Sequence, residues 1–386
     1  LLVNMMAPRF VAIDSSILIG WATDAFAEDS KLRAGAREVQ TSLLDSNWIP
    51  LICWHHFIEL ARHHNIEVAT RRIDLLKSFS QIAWLGSSYG SKILGAVVDV
   101  FEAEVGTIVA APDIDLIGLR KSVRQKLLQS GSPTDIDTLN NWKNLHPDII
   151  ATAVHDQKIA SIAHSAHSIF NDTEISRLKK KRRIDQTAFN RPLPVEVKKL
   201  AEDLKDHGDR RLLDPNRTAQ DFLNMAATKL MESLKLGGTA FDIFLATSDV
   251  LLSDISDKTT LRMFARLARL RKLARTACNQ LGIDLNRAWP RIRDAKIPSQ
   301  TIKDTIREAR KTATRASGSD IGDDYLACLA PYVDVIIVDK RTHEFMTQGA
   351  RRDLSFREMV GFFAKTTTYK QLPAILASYP SSRSSR

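Results

Sequence analysis

The sequence predicts an α/β fold: a parallel sheet flanked by helices and interrupted by a mostly α-helical insertion. Three observations carry this. Short apolar runs alternate with segments of helical period over residues 9–100. From about Ala103 to Ser317 the segments lengthen and become mostly helical. After Ser317 the alternation of strand and helix returns around the run VIIV.

The elements follow in order. Residues 9–20 read as a buried strand. Lys31–Asp45 has helical spacing, with Val39, Leu43 and Leu44 on one side. WIPLIC at Trp48–Cys53 is a short strand, HHFIELARHH a helix, Glu67–Phe79 a second helix, and QIAWLG at Gln81–Gly86 a strand. The insertion offers helices at Ile117–Leu128, Pro147–Phe170, Pro194–Lys205, Ala219–Leu234, Lys258–Leu281 and Ser299–Arg315, with loop-like joints such as GSPTD and NRPLP. GSDIGDDYLACLAPY is then a loop and a helix, VDVIIVD a strand, REMVGFFAKT a helix end and a strand, and YKQLPAILAS a last helix. The final piece is too short to bury a sheet of its own. One α/β domain is therefore expected from 8–100 plus 318–380, with an insertion at 103–317 and SSRSSR at 381–386 as a disordered tail.

Composition narrows the class. Of 386 residues, 44% are hydrophobic and 26% charged, which suits a globular protein. Fifty-five basic residues against 45 acidic ones leave a net charge of +10, which favours a polyanionic partner. Cys53, Cys278 and Cys328 form no CxxC pair, which argues against a disulfide framework or a cysteine zinc site. No apolar run approaches the roughly 20 residues of a membrane span, and LLVNMMAPRF does not read as a secretory signal. The expected location is cytoplasmic, with no membrane partner. GxxxxGK[ST], GxGxxG after a strand, and GxSxG are all missing.

Acids stand out at four places. FVAID ends on Asp14 and VIIVD ends on Asp339, each at the carboxyl end of a buried strand, where open parallel sheets bind ligands. A helix N-cap accounts equally for one such Asp, but two matching positions weaken that account. Glu59 follows the strand WIPLI on a helix whose apolar face carries Phe57, Ile58 and Ala61. Asp320, Asp323 and Asp324 crowd a helix start, more acids than capping needs. Clustered carboxylates raise one another's pKa unless a cation neutralises them, and Mg²⁺ or Mn²⁺ suits carboxylate oxygens. His56, Glu59 and His63 share one helical face, but there is no HExxH to support zinc.

These motifs together resemble the PIN domain, a metal-dependent ribonuclease fold found in bacterial toxins and RNA-processing factors. VAIDSSILIG is similar to the family's first motif, PLICWHHFIEL to its second, DDYLACLA to its third and VIIVDKRTHEF to its fourth. The gap from Glu59 to Asp323 is several times the family's usual one, and Val338 stands where the family has Thr or Ser. The resemblance covers roughly 150 residues. It implies that Asp14, Glu59, Asp323 and Asp339 hold Mg²⁺ or Mn²⁺ and are the catalytic set, with Asp320 and Asp324 as further ligands. Ser16 would orient them. It also implies RNA rather than DNA as substrate, and a protein regulator such as an antitoxin.

Basic helices would hold that substrate. In Leu261–Leu281 the apolar positions Met263, Leu267, Leu270, Ala274, Ala277 and Leu281 form one stripe, and Arg262, Arg266, Arg269, Lys272 and Arg275 lie off it. Lys303, Arg307, Arg310 and Lys311 repeat the pattern on the helix that leads into the acidic loop. RLKKKRR at 177–183 is a further basic run. The expected function is a metal-dependent endoribonuclease. The alternative is a non-enzymatic nucleic-acid-binding or scaffold protein with a degenerate site.

Overall fold

The structure, a computed structural model, describes residues 8–166, 173–176, 193–234, 241, 242, 245, 248–310 and 320–380. The basic run at 177–183, Lys311 and the tail at 381–386 lie outside the described residues.

Seven strands form one mixed sheet: β1 (Arg9–Ile13), β2 (Trp48–Ile52), β3 (Ile82–Ser87), β4 (Gly90–Leu94), β5 (Leu128–Gly131), β6 (Val335–Val338) and β7 (Phe362–Lys365). Their order is β4-β3-β2-β1-β6-β7, with β5 also on β3. β1, β2, β3, β6 and β7 pair in parallel. The sequence places all five because parallel strands are covered by helices on both faces and are therefore continuously apolar. β1 is shorter than the strand expected over residues 9–20: it stops at Ile13, and residues 15–20 belong to helix Ser15–Ala25, which Asp14 caps. WIPLI and VIIV are buried along their whole lengths.

β4 and β5 run antiparallel to β3, so the sheet is mixed and not purely parallel as expected. Neither announces itself. β4, GSKIL, is exposed at its centre, and β5, LQSG, is short and polar. Edge strands need no apolar run, since one side of each lacks a sheet neighbour.

Contacts divide the chain into two units. The first is Leu1–Ala153, Asp294–Arg310 and Ile321–Arg386; the second is Val154–Arg293 and Lys311–Asp320. The α/β unit thus takes in stretches that the sequence assigned to the insertion. Helix Val97–Ala110 packs against helices Leu116–Leu127 and Pro298–Arg310, and β5 completes the sheet edge. One core cluster of this unit includes Trp21, Trp48, Phe57, Trp84 and Ile337. Trp21 stacks on Tyr369 at 5.3 Å and meets Phe79 edge-on at 5.4 Å.

In the helical unit, helix Leu193–His207 packs on helix Pro215–Leu234. Helix Leu261–Leu281 ends at Gly282, whose φ of +66° is the left-handed cap that glycine adopts without strain. The buried stripe of this helix differs from the expected one. Phe264, Arg271, Ala274, Ala277 and Cys278 face inward, while Met263 is 57% exposed. Arg271 is buried because its guanidinium lies 4.7 Å from the Trp289 ring and within 3.9 Å of both Asp249 and Asp254. Asp254 in turn accepts from Trp289 Nε1 at 2.8 Å and Arg293 at 2.9 Å.

One buried acid ties three segments of the α/β unit. Glu104, fully buried, accepts from Ser299 N at 2.9 Å, from the Ser299 hydroxyl, and from Tyr332 OH at 2.5 Å. Burial raises its pKa from 4.5 to about 7 despite these donors. A folded-state pKa above the unfolded one means that its stabilising contribution is complete below about pH 4.5 and is lost as pH rises to about 7. The shift corresponds to roughly 3 kcal/mol. Denaturant unfolding across this window should therefore show a loss of stability that Glu104→Gln abolishes; equal pH slopes for the two proteins would refute the assignment.

Candidate functional site

The expected acids gather at one end of the sheet. β1 lies between β2 and β6, with Val11, Ala12 and Ile13 in register with Val335, Ile336 and Ile337. The chain turns one way from β1 toward β2 and β3 and the other way toward β6 and β7, so a crevice opens beyond their carboxyl ends. Asp14 and Asp339 each follow one of these two strands.

Both are also helix N-caps. Asp14 Oδ1 accepts from Ser16 N at 2.8 Å and from the Ser16 hydroxyl, which opens helix Ser15–Ala25. Asp339 accepts from Thr342 N at 2.7 Å and Arg341 N at 3.3 Å, which opens helix Lys340–Arg352. Asp14 is only 5% exposed. Burial raises its pKa first, and the charge of Asp339 raises it further, while the Ser16 bonds oppose both.

Glu59 joins them from helix Trp54–Ala61, which follows β2. Burial raises its pKa, Asp14 adds to the shift, and the buried Ser15 hydroxyl and Arg62 oppose it. Asp14 thus interacts with both Asp339 and Glu59. Their carboxylate oxygens are hard donors, the type that Mg²⁺ or Mn²⁺ prefers. Among the described residues, no group of three or more His, Cys, Asp or Glu side chains stands close enough together to hold a metal ion.

The third motif divides. Helix Asp320–Ala327 packs beside helix Trp54–Ala61: the His55 ring stacks on Tyr325 at 4.2 Å, and the Glu59 carboxylate lies against Gly322. Asp323, next in sequence, is half-buried. Asp324 is 2% exposed and committed elsewhere, with Arg310 Nη2 at 2.6 Å, Arg310 Nη1 at 3.2 Å and Arg307 Nε at 3.6 Å. It was expected as a metal ligand; two arginines hold it instead. The side chain of Asp320 lies outside the described residues.

The expected substrate cations are placed accordingly. Arg310 and Arg307 neutralise Asp324, while Lys303 is half-buried with its amine 4.6 Å from the centre of the Tyr325 ring. Burial, with Arg307 beside it, lowers the pKa of Lys303. These three form a packed cationic layer and not an open rail. On the helical unit, Arg266 and Arg269 are exposed and Arg262 is half-buried.

The histidines do not build a zinc site. His56 is buried, its Nδ1 accepts from Cys53 N at 3.1 Å, and burial lowers its pKa to about 4. Burial likewise lowers His55 to about 3. The helix ends at Ala61, so His63 leaves its face and stacks on His64.

Sequence reasoning missed Ser15 and Gly322 beside Glu59. The signal for Ser15 was present in the first hydroxyl of DSS; nothing in DIGDD distinguished Gly322 from a turn glycine. Comparison with family models, with curated proteins and with solved structures finds no match for this chain.

Removing one partner of a buried ion pair leaves an uncompensated charge, at a cost of about 3–5 kcal/mol. Arg310→Met should therefore destabilise the protein by an amount near that range, and Arg310→Met with Asp324→Asn should recover most of it. Thermal unfolding of the single and double variants checks this; additive losses would contradict the pairing.

Proposed function

We propose that the protein is a metal-dependent endoribonuclease with a PIN-like α/β domain, hydrolysing RNA phosphodiester bonds at the crevice of Asp14, Glu59 and Asp339. The observation that supports this best is the convergence of three partly or fully buried carboxylates on the switch point of a parallel sheet, with Asp14 coupled to both others. Such a set is unfavourable unless it serves a cation.

Asp14, Glu59 and Asp339 would hold Mg²⁺ or Mn²⁺, with Asp323 as the fourth acid. A bound divalent ion would supply a hydroxide near neutral pH and neutralise charge developing on phosphorus. The chain's own residues do the rest. Ser16 fixes the Asp14 carboxylate by two bonds to one oxygen, leaving Oδ2 unengaged by Ser16. The backbone of residues 341 and 342 fixes Asp339. Neutral His55 and Tyr325 wall the site with apolar surface. The exposed arginines of helix Leu261–Leu281 would bind the phosphate backbone of a polyanion.

A second reading, an RNA-binding protein with a degenerate site, is favoured by one observation: Asp324 is held by arginines. One experiment separates the two. Purified protein is assayed for RNA cleavage with Mn²⁺, beside Asp14→Asn, which retains an N-capping side chain and so the fold. Activity should fall by roughly a hundredfold or more. Equal cleavage by both proteins would refute the catalytic assignment. RNA binding without metal-dependent cleavage by either would establish the second reading.

A further inference from the structure

Gly322 lies inside a helix with no backbone need for glycine. Its φ is not in the left-handed region, unlike that of Gly282 or Gly361. Glycine within a helix is disfavoured relative to alanine. The space it leaves is what distinguishes the position. A Cβ placed there would lie 2.1 Å from Glu59 Oε1 and 3.1 Å from Glu59 Cδ. Carbon and oxygen cannot approach so closely, so the Glu59 carboxylate occupies the room a side chain would take.

The two helices meet in a fixed way. His55 precedes Glu59 by one turn, and Tyr325 follows Gly322 by nearly one turn, so each pair shares a helix face. The His55–Tyr325 stack, with its 26° interplanar angle, holds the faces together at one end. Lys303 closes over the outer side of Tyr325. The atoms an added Cβ would meet belong to the end of the Glu59 side chain, so the carboxylate itself would have to swing out of this place. The hydroxyl of buried Ser15, directly after Asp14, also bonds to Glu59.

We propose that Gly322 and Ser15 are positioning residues for Glu59: together they confine its carboxylate to the one place from which it reaches the site of Asp14. This rests on the nuclease reading for its functional meaning, but the contact itself does not. Gly322 sets the distance by having no side chain, and Ser15 supports the charged carboxylate by a hydrogen bond.

A double-mutant cycle tests it. Gly322→Ala, Glu59→Ala and the double variant are compared by thermal unfolding without metal or RNA. In the Glu59→Ala background, where the clash is gone, Gly322→Ala should raise the Tm by about 2 °C through helix propensity alone. In the wild type, where the carboxylate must move aside, the rise should be smaller or absent. Equal shifts in both backgrounds would overturn the contact. Two further measurements address positioning as distinct from packing. Mn²⁺ affinity by calorimetry should fall about tenfold or more in Gly322→Ala. Glu59→Asp, one methylene shorter, should lose no further affinity when Gly322→Ala is added. Equal penalties for Gly322→Ala in the wild-type and Glu59→Asp backgrounds would leave a packing role only and refute the proposal. Where RNA is cleaved, kcat should fall in Gly322→Ala with KM nearly unchanged, and Ser15→Ala should act in the same direction. If the wild type cleaves no RNA, the nuclease reading fails, while the unfolding and Mn²⁺ cycles still decide whether Gly322 places Glu59.

Discussion

The pairing of β1 with β6 is the constraint on which the site depends. The two strands are separated by most of the chain, yet they lie side by side in parallel, with residues 11–13 opposite residues 335–337. Parallel neighbours require a crossover. Here the crossover carries two further parallel strands, their flanking helices and the whole helical unit. Asp14 N donates to Ile337 O at 2.9 Å, so the register of the two strands also places the first acid. A slip of one residue would turn Asp14 and Asp339 away from each other and turn buried side chains outward.

Charge is sorted around this end of the sheet. Asp14, Glu59 and Asp339 form a set in which like charges are coupled. Asp324, on the adjoining helix, has drawn Arg307 and Arg310 to itself. Burial raises the pKa of Asp324, and the two guanidiniums that pair with it oppose the shift. The division has a structural effect. Helix Pro298–Arg310 carries both arginines and is tied at its other end, through Ser299, to Glu104. Two buried acids, at opposite ends of one helix, thus fix its position in the α/β unit.

Legibility followed the chemistry of each residue. β1, β2, β3, β6 and β7 could be read because a doubly covered strand must be apolar throughout. β4 and β5 could not, because edge strands carry no such requirement. Asp14 and Asp339 were visible because a carboxylate closing an apolar run has few explanations. Asp324 was expected as a further ligand beside Asp323, and only the position of Arg310, fourteen residues earlier, gives it another role. Arg271 was hidden for a related reason. A charged residue on a helix reads as solvated, yet this one is enclosed by Trp289, Asp249 and Asp254, which no local pattern reveals. Gly322 was hidden because the absence of a side chain acquires meaning only when a neighbour fills the space.

Capping and ligand binding, opposed as explanations of Asp14 and Asp339, turn out to support one another. Each caps a helix, and each helix directs its positive end at its own acid. Two such ends offset part of the repulsion between carboxylates that share a crevice. The caps also fix the side chains before any ligand arrives, so little rotamer freedom remains to be lost. Glu59 has no such cap. It sits late in its own helix, where the dipole opposes a negative charge, and its pKa is raised. Its position therefore depends on its neighbours, the hydroxyl of Ser15 and the open space at Gly322.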